Sequence, residues 1–193
     1  MSSTSQRVGE QADLARLLGR RWNIAALAEL GRSDGAKFIT LVNRLGISRA
    51  SLTAALKDLV RLGLVRRNRG YGHPLRPEYL LTDEGRRLAQ PCRALFDAIG
   101  DEAARRIAFR KWSLPLVAAI GTRAARFSDL KSALAGVTPR ALVLALKALE
   151  EIGWVERDVS DDYPPATRYR LASAGDRIRR YLVALSAAAA SSL

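Results

Sequence analysis

Cysteine occurs once in the 193 residues, as Cys92, and histidine once, as His73. A single thiol cannot close a disulfide within the chain, and one thiol with one imidazole cannot build a multi-cysteine or histidine cluster, so no metal site is expected. No apolar run approaches the roughly 20 residues that span a bilayer, which excludes a membrane-spanning helix. The opening stretch, Met1 to Arg7, lacks the apolar middle of a secretory signal, and a cytoplasmic location is the expectation. Also missing are a glycine-rich phosphate loop, a nucleophile elbow and any cluster of carboxylates or histidines at catalytic spacing. An enzyme is therefore not expected, and no catalytic residue or cofactor is assigned. Cys92 follows Pro91 in a helical pattern with Leu88, Leu95 and Ile99, so it reads as a packed thiol, with a redox-sensing thiol as the alternative.

What the chain does have is positive charge. The formal charge is +13 and the pI about 10.9. Residues 1–100 hold 17 Lys and Arg against 9 Asp and Glu, and the remainder holds 15 against 10, so the charge is not confined to one tail. Such a surface attracts polyanions, because neutralising phosphates releases counterions. Charge alone does not separate DNA from anionic membrane or from a merely soluble basic surface.

A second abundance is self-similarity. Arg21-Trp22 returns as Lys111-Trp112, and Phe38-x-x-Leu41 returns as Phe127-x-x-Leu130 with a shift of one residue. From Ile47 and Val137 onward the spacing is ninety: Leu52 with Leu142, Leu56 with Leu146, Leu59 with Leu149, Gly63 with Gly153, Val65 with Val155, Tyr79 with Tyr169, Gly85 with Gly175. The single-residue slips fall at Arg32 to Gly35 in the first copy and at Leu134 to Gly136 in the second, both with turn composition. A repeat of about ninety residues is a duplicated small domain rather than a solenoid module. The expected division is 1–100 and 101–193, its boundary within or after a helical segment running from about Glu84 to Arg106.

Within a copy, Trp22, Ala26, Leu27 and Leu30 have helical spacing, as do Phe38, Leu41, Val42 and Leu45. Gly46-Ile47-Ser48 is a turn into a third helix capped by Ser48, with Leu52, Ala55, Leu56 and Leu59 inward and Gly63 at its end. The second copy has Thr138 as cap and Pro139 at the first helical position. The period then changes to alternation: Leu64 to Arg67 and Glu78 to Thr82 predict two antiparallel strands around the loop Asn68 to Pro77, and Trp154 to Val159 with Arg168 to Leu171 repeat them. Three helices and a two-stranded wing make a winged helix-turn-helix. The fold class expected is thus mainly α with small β wings, as two tandem winged helix-turn-helix domains. The segments Gln11 to Leu18, Glu84 to Phe109 and Asp176 to about Ala190 are flanking helices for packing or dimerisation.

These motifs together resemble the HxlR-type winged-helix transcriptional regulators, which are related in fold to the MarR group. The resemblance is carried by the basic residue before Trp22 and Trp112, by Lys37-Phe38-Ile39-Thr40-Leu41 and Arg126-Phe127-Ser128-Asp129-Leu130, by the Gly-Leu-Val or Gly-Trp-Val that follows the leucine heptad, and by Tyr79 to Gly85. It covers roughly residues 17 to 185. The second copy departs at Ala172 and Ala174, where the first has Thr82 and Glu84, which puts the cap of its following helix in question. The resemblance implies binding of operator DNA, usually as a repressor, by proteins that pair two such units; two units fused in one chain resemble a covalent dimer.

In this fold the third helix enters the major groove and the wing lies over the adjacent backbone or minor groove. The DNA-binding residues expected are Ser48, Arg49, Ala50, Ser51, Thr53 and Lys57 on the first helix and Thr138, Arg140, Val143 and Lys147 on the second. Arg49 and Arg140 are the candidates for guanine readout, with a phosphate clamp or a solvated surface arginine as the alternative. Arg67, Arg69, His73 and Arg76 belong to the first wing and Arg168 to the second, whose Asp158, Asp161 and Asp162 should repel phosphate. The first unit is therefore expected to supply most of the affinity. The expected partner is double-stranded DNA; a small-molecule effector is compatible with the aromatics Trp22, Trp112, Phe96 and Phe109, which core packing also explains. The chain acts as a homodimer, through an apolar stripe at Tyr181, Leu182 and Leu185, or as a single-chain pseudo-dimer. The competing function is a tandem winged-helix assembly module that binds protein or RNA.

Overall fold

The computed structural model describes residues 16–68, 78–159 and 167–190. It divides into two compact units, Met1–Asp97 with Ala184–Leu193, and Ala98–Val183. Of the helix expected at 11–18 only residues 16–18 are described; Leu17 and Leu18 are buried there.

In the first unit the central helix is α1 (Asn23–Leu30), every residue of which is buried, as its nearly unbroken apolar sequence requires. The strand β1 (Gly35–Lys37) leads into α2 (Phe38–Leu45), which Gly46 ends in the left-handed conformation at φ 61°. α3 (Arg49–Arg61) starts at Ser48, whose hydroxyl oxygen accepts from the Ser51 amide at 3.1 Å, and buries Leu52, Ala55, Leu56 and Leu59. Its end is a Schellman motif: Gly63, at φ 71°, donates to the Val60 carbonyl, and Leu64 donates to that of Leu59. The chain then forms β2 (Val65–Asn68) and β3 (Glu78–Leu81), followed by α4 (Asp83–Ile99).

The second unit reproduces this order with α5 (Glu102–Ala108), α6 (Ser113–Ile120), β4 (Ala125–Arg126), α7 (Phe127–Ala133), α8 (Pro139–Glu151), β5 (Val155–Val159), β6 (Thr167–Leu171) and α9 (Ser173–Ala190). The end of α8 repeats the motif, with Gly153 at φ 67° donating to the Glu150 carbonyl and Trp154 donating to that of Leu149.

Each sheet has three strands where the sequence predicts two. β3 lies between β1 and β2, and β6 between β4 and β5, all antiparallel. The added strands, of three and two residues, are too short to show a period and exist only through their pairing with the central strand. The register agrees across the repeat: Val65 faces Leu81 as Val155 faces Leu171, and Arg67 faces Tyr79 as Arg157 faces Tyr169.

The expected helix from Glu84 to Phe109 is two helices. Gly100, at φ 84°, ends α4, and Asp101 restarts the chain by accepting from the Ala104 amide at 2.8 Å. The junction after each wing explains the departure at Ala172. Thr82 donates to the Gly63 carbonyl at 2.7 Å and accepts from the Gly85 amide at 3.0 Å, whereas Ala172 has no hydroxyl. The backbone bonds are kept in both copies: Thr82 donates to the Leu64 carbonyl and accepts from the Arg86 amide, as Ala172 donates to that of Trp154 and accepts from the Asp176 amide. On α9, Ile178, Leu182 and Leu185 are buried within the chain, while Tyr181 is half-buried and Val183 is exposed. No helix among the described residues is long and apolar enough to cross a membrane.

Candidate nucleic-acid interface

The two helices that the sequence marks as readers, α3 and α8, each bury one leucine-lined face and leave the other to solvent. On α3, Arg49, Ala50, Thr53 and Lys57 are exposed. Ser51 is only half-buried rather than exposed, because its hydroxyl accepts from that of Ser48 at 2.9 Å while its amide donates to the same Ser48 oxygen. Ser48 and Ser51 are thus engaged with one another in closing the helix end. The Thr53 hydroxyl donates to the Arg49 carbonyl at 2.8 Å. Arg49 and Lys57 make no ion pair among the described residues, while Asp58 is held by Arg20 at 3.2 Å and Arg61 at 3.1 Å.

On α8, Thr138 caps through the Ala141 amide at 3.2 Å, and Pro139 takes the first helical position, which needs no amide donor. Arg140, Val143, Leu144 and Lys147 are exposed, and neither Arg140 nor Lys147 has an ion pair among the described residues. The lysines occupy equivalent places in the repeat, but the arginines do not. Arg49 is the first residue of its helix and Arg140 the second, so their side chains leave the helix about 100° apart. α3 carries Arg49, Lys57 and Arg61 against Asp58, whereas α8 carries Arg140 and Lys147 against Glu150 and Glu151. The first reading helix is cationic and the second neutral.

Of the wing residues, Arg67 is exposed on β2 and Arg168 is exposed on β6. Arg69, His73 and Arg76, together with Asp161 and Asp162, lie outside the described residues. On the second sheet, Arg168 is the register partner of Asp158 and Arg170 binds Glu156 at 2.5 Å, while Arg157 faces Tyr169. On the first sheet, Arg66 faces Leu80, Arg67 faces Tyr79 as Arg157 faces Tyr169, and Lys37 is the register partner of Glu78. Where the first sheet has Arg66 facing Leu80, the second has Glu156 facing Arg170 at the equivalent place.

Several residues near these helices act in ways the sequence does not announce. Glu29 is a largely buried carboxylate on α1 that holds Arg32 at 2.8 Å and Arg44 at 3.0 Å, tying α2 to α1. Asp34, in the left-handed conformation at φ 56°, receives two hydrogen bonds from Arg86, which also donates to Asp83 and holds its carboxyl below the usual carboxylate range. Lys37 and Arg126 are two further exposed cations, just before α2 and α7. The basic residue before each tryptophan is explained by stacking: the Arg21 guanidinium lies 4.9 Å from the Trp22 ring and the Lys111 ammonium 4.6 Å from the Trp112 ring. Cys92 is fully buried, which pushes its thiol far above the usual range and keeps it protonated; this favours the packed reading over a redox sensor.

The description HxlR-like helix-turn-helix fits the chain twice, over residues 17–106 and 107–193. Two relatives are HTH-type transcriptional regulators that carry the word uncharacterized in their names. YtfH of Escherichia coli (strain K12) is 30% identical over 76 residues, 39% of this chain and 60% of its own length. The Synechocystis protein sll1512 is 33% identical over 75 residues, 39% of this chain and 56% of its own length. The chain spans about 60% of the length of the curated relatives it matches. Among solved structures, a MarR-family transcriptional regulator from Porphyromonas gingivalis W83 superposes with a TM-score of 0.44 at 24% identity, covering 49% of this chain and 97% of the other.

Proposed function

The chain belongs to the HxlR-like helix-turn-helix family, matched once by each half, and from that premise we propose that it is a transcriptional regulator, acting as a repressor, that binds operator DNA with two recognition helices per chain. The observation that carries this reading is the pair of capped helices, α3 and α8, each with a solvated face that includes a basic residue in its first turn and a lysine two turns on, without ion pairs among the described residues. Cations left unneutralised on a helix that the core holds from behind are what a phosphate-lined groove requires.

Residues 1–100 and 101–193 serve as the two reading units, and the chain works as a single-chain pseudo-dimer, a reading supported by each half having a capped helix of its own. Arg49 and Arg140 contact base edges, Lys57 and Lys147 contact phosphates, and the first wing adds Arg67 with Arg69, His73 and Arg76. The first unit supplies the larger share of the affinity, since α8 is neutral and its sheet pairs cations with carboxylates.

The test is a gel shift on a duplex from the chain's own promoter region with excess nonspecific competitor. A specific complex is expected, and Lys57→Ala and Lys147→Ala should each flatten the dependence of log affinity on log salt by about 0.9. Absence of any competitor-resistant complex would overturn the reading in favour of an assembly module.

A further inference from the structure

The repeat provides an internal control for what the fold itself requires of a reading helix. Both copies bury the same leucines, 52, 56 and 59 in one and 142, 146 and 149 in the other. On the solvent face the first copy has Thr53 and Ala54, and the second has Val143 and Leu144. Val143 is 40% and Leu144 57% exposed, so neither contributes substantially to its own core. A single exposed apolar residue is ordinary. Here two large ones are adjacent, on a helix whose counterpart folds equally well without them.

Their neighbours indicate what covers them. Arg140 lies one turn before the pair and Lys147 one turn after, on the same face of α8. A surface bracketed by cations suits a polyanion that presents an apolar group between its phosphates. On the floor of the major groove that group is the C5 methyl of thymine, while the remaining base edges offer only hydrogen-bonding atoms. We propose that Val143 and Leu144 read thymine methyl groups, and that the two units of this chain therefore recognise different half-sites, so that the operator is not a palindrome. The inference rests on the reading of α8 as a recognition helix. It assigns Leu144 a role alongside Val143 and gives the second unit a specificity that does not depend on net charge.

The experiment uses the full chain and a duplex that it enriches from a random library. Thymines of that duplex are replaced one at a time by deoxyuridine, which removes the methyl and keeps the base pair. Binding is compared for the wild-type chain and for the double substitution Val143→Thr with Leu144→Ala, the residues of the first unit; unchanged melting of the variant shows that it is folded. At one or two thymines the wild-type chain should lose roughly fourfold in affinity per methyl, and the variant should show no loss at the same positions. Equal sensitivity of the two proteins, or no sensitive thymine, would overturn the inference while leaving DNA binding intact. Failure to enrich any duplex would overturn the DNA-binding reading and this inference with it.

Discussion

Gly85 and Gly175 sit against the turn that leaves each reading helix, so close that a methyl group at either would overlap the Leu64 or the Trp154 carbonyl oxygen. Their backbone is helical, and it is space rather than conformation that requires glycine. Gly85→Ala and Gly175→Ala should each cost about 1–3 kcal/mol and lower the melting temperature by roughly 5–15 °C, while Gln90→Ala on the exposed side of the same α4 should leave it within a degree or two. Equal melting of all three proteins would show that the turn yields without strain. At this scale much was legible in advance. The glycines stood out because they repeat, and Ser48, Thr138 and Pro139 announced helix starts through ordinary capping chemistry. The ion pairs were not legible. Nothing local to Glu29 says that Arg32 and Arg44 will converge on it, and Arg86 reaches Asp34 from 52 positions away.

Among the elements, the long apolar stripes of α3 and α8 declared themselves because helical periodicity extends over three turns. The strands β1 and β4 did not, since two or three residues carry no period and derive their conformation from β3 and β6. The break at Gly100 was hidden by apolar spacing on both sides, although the pair Gly100-Asp101 is an ordinary stop and start signal. The wings make the clearest contrast. Arg66 and Asn68 of the first wing stand where the second has Glu156 and Asp158, which face Arg170 and Arg168. The double substitution Arg69→Ala with Arg76→Ala should therefore weaken DNA binding at least tenfold at low salt and reduce the salt slope by nearly two. Arg168→Ala should change either quantity by less than half as much. Equal losses in a titration across salt would refute the asymmetry between the units.

For the molecule as a whole, duplication is the organising fact, and it is visible in the sequence as a ninety-residue spacing that survives into shared caps, shared Schellman motifs and a shared sheet register. Divergence is then meaningful wherever the scaffold is held constant: an arginine displaced by one position, a cationic helix in one copy and a neutral one in the other, and a polar solvent face in one copy where the other has an apolar one. With the proposed function, these differences make two unlike readers of one chain. The most direct measurement is a hydroxyl-radical footprint of the full chain on one enriched duplex, repeated with Arg49→Ala plus Lys57→Ala and with Arg140→Ala plus Lys147→Ala. Two protected segments are expected, with each variant losing a different one and retaining the other more weakly; a variant in α8 that protects the duplex as the wild-type chain does would contradict the account.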